Sequence, residues 1–289
     1  MCSIAKNIFI TKASGISVPF SEQKLIQSLV RAGATADIAS SIASEVSDSV
    51  YEGMSTKKIY RIAFNLLRDR SSHLAARYHL KKGIMELGPS GYPFEKFIGE
   101  ILNFMGYSVE FGKIVKGHCV NHEVDVIALR DEQHFMIECK YHNQQGVFSD
   151  VKTPLYIQAR FKDIEQEWKI IPGHAAKFHQ GWVVTNTRFS TDAIQYGTCA
   201  GLKMLSWDYP VNNSLKDWID NMGLYPLTCL TTLTRQEKRG LLEKKIVLCK
   251  ELCHNPQLLE KIGMRRDKIG AVLEEGNHLC QNLIQNAQH

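Results

Sequence analysis

The spacing of apolar positions changes several times along this chain. Between residues 7 and 19, β-branched and apolar residues alternate around Ala13-Ser14-Gly15, as in a short hairpin. After Ser21 the period lengthens: Leu25, Leu29 and Val30 follow an N-cap candidate, with Glu22 in the first turn and Gly33 at the end. A second helix is expected over about 36–51, with Ile38, Ile42, Val46 and Val50 on one face and Gly53 beyond it. Ser55 or Thr56 opens a third, in which Ile59, Ile62, Ala63, Leu66 and Leu67 recur at helical spacing. Leu74 to Leu87 reads as a fourth. The turn formers Gly88-Pro89-Ser90-Gly91-Tyr92-Pro93 then interrupt the pattern. That break is too short for a flexible linker, so the parts on either side should be rigidly joined.

Beyond it, Phe94 to Phe104 is an amphipathic helix ending at Gly106. Residues 107–111, 123–129 and 134–140 alternate as strands. A helix over 150–168, a buried strand at 181–186, a helix at 191–200 and a short strand at 203–207 complete an α/β layout with a central mixed sheet. The remainder is charged and helical, broken at Asn255-Pro256 and Gly263. The predicted fold is multi-domain: an α-rich module of a hairpin plus a helical bundle (1–88), an α/β domain (89–227) and a helical C-terminal region (228–289).

Composition agrees with this division. The 289 residues suit two or three domains, and 44% hydrophobic with 22% charged residues excludes a disordered or collagen-like chain. No apolar run approaches the ~18–20 residues of a membrane span, and the N-terminal apolar stretch is too short for a secretory signal. A cytoplasmic location is expected. The net charge of +5 conceals an asymmetry: residues 1–90 carry +5, residues 91–226 carry −3, and residues 227–289 carry +3. A basic total suits a polyanionic partner; an acidic middle raises the question of what its carboxylates do. The eight cysteines are scattered, which favours reduced thiols. Cys249, Cys253, His254, His278 and Cys280 invite a zinc reading, but Cys-x3-Cys on a helix is not a zinc-ribbon spacing. Buried small apolar residues are the expected role.

The chemistry falls on two neighbouring strands. Glu138 and Lys140 share one face of their strand because side chains alternate with period two, and Asp125 on the adjoining strand can converge on them. Two carboxylates and an ammonium on one sheet face are costly without a cation to hold the oxygens. Hard oxygen donors favour Mg²⁺ or Mn²⁺, with Lys140 stabilising developing charge or placing the attacking water. The set suits phosphodiester hydrolysis, although a Glu-x-Lys ladder pair on an exposed strand is the plain alternative. His122, three residues before Asp125, should face away in a regular strand. His142 shares the face of Lys140.

The order Phe94-Glu95 on a helix, a Gly106-Tyr107 strand, His122-Glu-Val-Asp125 and Glu138-Cys-Lys140 resembles the PD-(D/E)xK nuclease superfamily, most of all its Mrr-like restriction endonuclease branch, over about residues 91–210. The resemblance implies Asp125 and Glu138 as metal ligands, Lys140 as the catalytic lysine, and Glu95 as the helical glutamate completing the site. Glu100 is the weaker candidate for that last role, and Gln158 loosely matches a glutamine after the core. It also implies DNA as partner and a homo-oligomer, since single-site nucleases commonly cut both strands as dimers.

The first 88 residues resemble the ATP-cone, a nucleotide-sensing module. Thr11-Lys12-Ala13-Ser14-Gly15, Phe20, Lys24, Gly53-x-Ser55-Thr56-x-x-Ile59 and Ala75-Ala76-Arg77-Tyr78 carry that likeness. It implies ATP or dATP as effector, held by Lys12, Lys24, Thr56 and Lys81 or Lys82. Ala13 departs from the arginine usual after Lys12, which removes a bidentate phosphate donor. The expectation is a Mg²⁺-dependent DNA endonuclease responsive to nucleotide. The alternative is a nucleotide-sensing DNA-binding or regulatory protein without cleavage.

Overall fold

In the computed structural model, which describes residues 8–144, 146–171 and 178–281, the first three helices each open on a hydroxyl cap. Ser21, Thr35 and Ser55 accept the backbone N–H three residues on, starting α1 (Glu22–Arg31), α2 (Ala36–Ser49) and α3 (Thr56–Arg70). The hairpin pairs β1 (Phe9–Thr11) with β2 (Ser17–Pro19) in antiparallel fashion; Asn7, at the start of its expected range, and Cys2 lie outside the described residues. Leu25, Leu29, Ile42, Val46, Ile59, Ala63 and Leu67 form the core of this module. The Thr11 N–H donates to the Met54 carbonyl (3.0 Å), seating the hairpin against the start of α3.

The single helix expected over Leu74–Leu87 is instead two, α4 (Ser72–Tyr78) and α5 (Leu80–Met85), meeting at His79. The two serve different cores. Ala75 packs within the module, whereas Ala76, Leu80, Ile84 and Leu87 pack with the rest of the chain. The large core therefore runs through the Gly88-Pro89 turn.

After that turn come α6 (Tyr92–Phe104), β3 (Ser108–Lys116), β4 (Asn121–Arg130), β5 (Gln133–Lys140), β6 (Phe148–Ser149), α7 (Lys152–Ile170), β7 (Phe178–Thr185), β8 (Arg188–Phe189), α8 (Thr191–Cys199), β9 (Lys203–Leu205) and α9 (Leu215–Met222). The main sheet has the order β3-β4-β5-β7-β9: β3, β4 and β5 are mutually antiparallel, while β5, β7 and β9 are parallel, a mixed sheet as expected. Phe94, Phe97, Ile98 and Ile101 of α6 cover one face with Val126, Ala128 and Ile137. Ile157, Phe161 and Ile164 of α7, with Ala193 of α8, cover the other against Met136 and Val183.

The first strand of this sheet does not stop at Phe111. It continues to Lys116 through Gly112, whose φ of 56° lies in the left-handed region. The register on either side is unbroken, Phe111 opposite Val126 and Lys113 opposite Val124. In a flat strand Val124 and Val126 would face the same way. Here Val126 joins the α6 core and Val124 the α7 core, so the hairpin twists sharply where Gly112 lies beside Asp125. The far end of the hairpin is pinned to α7 by Asp163, which accepts from the N–H groups of Cys119 (2.8 Å) and Val120 (3.3 Å) and pairs with His122 Nε2 (2.7 Å).

The C-terminal region starts with a 3-10 turn (Leu227–Cys229), followed by α10 (Arg235–Glu243), α11 (Cys249–His254), α12 (Gln257–Glu260) and α13 (Arg266–Cys280). Its breaks fall at Pro256 and Gly263, as expected. Leu230, Leu241, Val247, Leu252, Leu259 and Val272 share one continuous cluster with α5 and α6. Glu275, 3% exposed, accepts both N–H and hydroxyl donors of Thr231 and Thr232 and so ties α13 to the start of the region. Cys249 is buried there, and Cys253 and Cys280 are partly so. Among the described residues no helix is long and apolar enough to cross a membrane.

Candidate active site

The β4–β5 ladder ends at the pair Val126–Ile137. Past that point the strands part, and a side chain bridges the gap: Asp125 Oδ2 accepts the Cys139 N–H at 2.7 Å. The bend at Gly112 and the parting of the ladder thus fix one aspartate at the mouth between two strands. Glu138 and Lys140, on one face of β5, reach the same mouth, with Lys140 Nζ 3.5 Å from Glu138 Oε2. The Glu138 side chain is only 2% exposed, whereas that of Lys140 is 35% exposed, so the lysine is open to a ligand.

Glu95 arrives from the first turn of α6. Burial, followed by the charges of Asp125, Glu138 and Glu123, pushes its carboxyl up to about 7, with Lys140 acting in the opposite direction. Asp125 is raised by burial, offset by the Cys139 N–H, Lys140 and Arg160. Glu138 is raised by burial and then by Asp125, offset by Arg160 and Lys140. The four residues expected from the sequence are therefore in one electrostatic neighbourhood, a carboxylate cluster short of positive charge.

Two participants were not foreseen. Arg160 of α7 places Nη1 2.5 Å from Glu138 Oε1, and its Nη2 donates to the Glu123 carbonyl. Glu123, two residues before Asp125 on β4, adds a further negative charge felt by Glu95 and Asp125. A signal for Arg160 existed: it lies three residues after Ile157 and four before Ile164, on the edge of the buried stripe of α7.

Gln158 turns out elsewhere. It donates to the Ala200 carbonyl (3.3 Å), because two residues along a helix is more than half a turn away from Arg160. Glu100 is also outside the site, ion-paired with Lys96 on α6. His122 faces away as the strand period predicts, committed to Asp163. His142 borders the site, its Nε2 3.0 Å from Ser149 Oγ, and burial and then Lys140 lower its pKa. Between these, the Tyr141 hydroxyl donates to the Met85 carbonyl at the end of α5 (2.7 Å).

The residues expected to hold a nucleotide spread over a wider area. Lys12 lies in the hairpin turn and Thr56 at the start of α3, which that hairpin abuts. Lys24 is in the first turn of α1. Lys82 Nζ instead lies 3.7 Å from Glu86, and Lys81 Nζ sits 5.8 Å from the centroid of the Trp207 ring. The hairpin tip also meets the α/β domain: a Cβ on Gly146 would come within 3.6 Å of the Ser14 nitrogen.

The donor set fits a hard divalent cation. Asp125 Oδ2 is engaged by a backbone N–H and Glu138 Oε1 by Arg160, while Glu138 Oε2 has only the long 3.5 Å approach of the Lys140 ammonium; Asp125 Oδ1 and Glu138 Oε2 are thus the oxygens a cation would take. Among the described residues no three His, Cys, Asp or Glu side chains converge to enclose an ion, in the α/β domain or around the C-terminal cysteines. Mg²⁺ needs no such cage, because it is commonly held by one or two carboxylates together with waters and substrate phosphates.

Comparison with known proteins places these residues in context. Residues 88–208 match a restriction endonuclease family model, and residues 225–280 match the model of the AF1548-like C-terminal region. An uncharacterized protein of Archaeoglobus fulgidus is 33% identical over 179 residues, which is 62% of this chain and 97% of that protein. The crystal structure of a protein of unknown function, AF1548, superposes with a TM-score of 0.54 at 32% identity, covering 66% of this chain and 98% of that one.

Proposed function

Since the chain belongs to the AF1548 family and carries a restriction-endonuclease domain, we propose that it is a metal-dependent DNA endonuclease whose catalytic residues are Asp125, Glu138, Lys140 and Glu95. The observation that carries this reading is the parting of β4 and β5, which brings Asp125, Glu138 and the exposed Lys140 to one opening. Asp125 Oδ1 and Glu138 Oε2 would hold Mg²⁺ or Mn²⁺. Such an ion supplies positive charge for the scissile phosphate and acidifies a water. Lys140 donates toward that phosphate and orients the attacking water. Glu95, in the same carboxylate cluster, is suited to take the proton of that water. Arg160 holds Glu138 in place and keeps part of its charge compensated.

The N-terminal module is proposed as an ATP-cone that takes ATP or dATP through Lys12, Lys24 and Thr56. Contact of its hairpin tip with Gly146, six residues after Lys140, supports an influence on the catalytic loop. One observation favours the non-cleaving alternative: Glu138 is already paired with a guanidinium. A plasmid-nicking assay with Mg²⁺ or Mn²⁺ decides between them. Cleavage that disappears in Lys140→Ala, at unchanged melting temperature, is the expected result. Undiminished cutting by that variant sinks the assignment of Lys140, and no cutting by the wild-type chain on duplex, branched or single-stranded DNA favours the regulator. Loss of ATP affinity in Lys24→Ala is the matching test for the module.

A further inference from the structure

A second concave site lies where the N-terminal module meets the α/β domain. It is a cavity of about 230 Å³ lined by Arg31, Arg77, Lys81, Trp207, Lys216 and Asp220 among others. Its charges do not balance. Arg31 is occupied by Asp217 (2.8 Å) and Asp220 (3.8 Å). Arg188 and Asp208 nearby pair with each other at 2.7 Å. Arg77, Lys81 and Lys216 remain, so the lining with Asp217 carries a surplus of two positive charges.

Arg77 is the most telling member. Its residue is 8% exposed, and Nη2 donates to the carbonyls of His278 (3.1 Å) and Gln281 (2.7 Å). Its Nε is buried with no hydrogen-bond partner among the described residues. A buried guanidinium beside two lysines is costly unless a nearby anion offsets its charge. Burial, then Arg188, also lowers the proton affinity of Lys81. Above these cations, the half-buried Trp207 ring offers an aromatic face over which Lys81 lies.

We propose that this seam binds a mononucleotide, its phosphate dianion held by Lys81 and Lys216 beside the Arg77 guanidinium, and its base stacked on the Trp207 face that Lys81 would vacate. The surplus charge matches a phosphate monoester, and the volume, below the ~300 Å³ usual for a small-molecule pocket, leaves part of such a ligand outside it and excludes a duplex. The aromatic face distinguishes a nucleotide from a bare anion, because every base has a surface that stacks. The site is independent of the nuclease reading. It is also separate from the residues proposed to take nucleotide at the hairpin, since Arg31 lies seven residues along α1 from Lys24, roughly 10 Å. Lys81 is the one residue the two assignments share.

Calorimetric titration of the full chain with AMP and with inorganic phosphate tests this. AMP is expected to bind at least roughly tenfold more tightly than inorganic phosphate. Trp207→Leu should abolish that preference, Lys216→Ala should weaken both ligands about tenfold, and Lys24→Ala should leave AMP affinity unchanged. Unliganded melting temperatures establish that each variant is folded; Trp207→Met and Lys216→Gln replace any that is not. Absence of AMP binding, equal affinity for AMP and phosphate, or binding indifferent to both seam variants would each overturn the proposal. AMP affinity lost in Lys24→Ala but kept in Lys216→Ala would also overturn it, placing the nucleotide at the hairpin. None of these outcomes depends on cleavage.

Discussion

Glu95→Gln in metal-free protein should change how stability depends on pH. In the folded chain, burial and the charges of Asp125, Glu138 and Glu123 raise the Glu95 carboxyl from 4.5 to about 7. The native state therefore holds this proton more tightly than the unfolded chain does. The stabilisation is fully present below about 4.5 and is lost as pH climbs through 7. At ~1.4 kcal/mol per tenfold the ceiling is about 3 kcal/mol, and solvent screening of a partly exposed group reduces it to about 1–2 kcal/mol. The glutamine variant lacks that penalty. Urea unfolding in a chelator from pH 4 to pH 8 should show the variant gaining about 1–2 kcal/mol on wild type between pH 4.5 and 7.5, while the titrations common to both cancel. A gap that is constant with pH would refute the clustering of Glu95 with the strand carboxylates.

Arg160→Ala should destabilise the fold by roughly 3 kcal/mol, because Glu138 is left buried beside Asp125 with only Lys140 to offset it; urea unfolding at pH 7.5 measures this. Gly112→Val should cost about 1–2 kcal/mol for a left-handed φ and reduce nicking more than stability, since Gly112 lies beside Asp125. Added Mg²⁺ should raise the melting temperature of wild type, and by much less in Asp125→Asn, as read by scanning calorimetry. Truncation after Pro226 should yield a chain without a cooperative transition in near-ultraviolet circular dichroism, because it strips Leu230, Leu241, Val247 and Leu252 from the main core.

The alternation of β4 and β5 was readable from periodicity, and with it the meeting of Asp125, Glu138 and Lys140; Glu95 was reached only through the family resemblance. The sharp twist at Gly112 was readable from neither. It depends on a backbone angle that period-two counting does not register, and it is why one hairpin serves two cores. Arg160 was missed because its place beside the buried stripe of α7 acquires chemical meaning only once its neighbour across the sheet is known. Gln158 was favoured by likeness, yet helical phase turns it toward Ala200. The break at His79 left no trace either: apolar positions continue across it with no proline, and only the separate destinations of Ala75 and Ala76 explain it.

That break makes α5 a lever. The chain leaves the core of the module and enters the larger one inside a pair of helices, so the module cannot pivot on a slack tether. Any tilt of the module about His79 acts on α5, whose far end holds Tyr141 through the Met85 carbonyl, one residue from Lys140. A tilt of the N-terminal module would thereby be passed to the neighbourhood of the Lys140 ammonium, with a fulcrum of one residue and an output arm the length of α5.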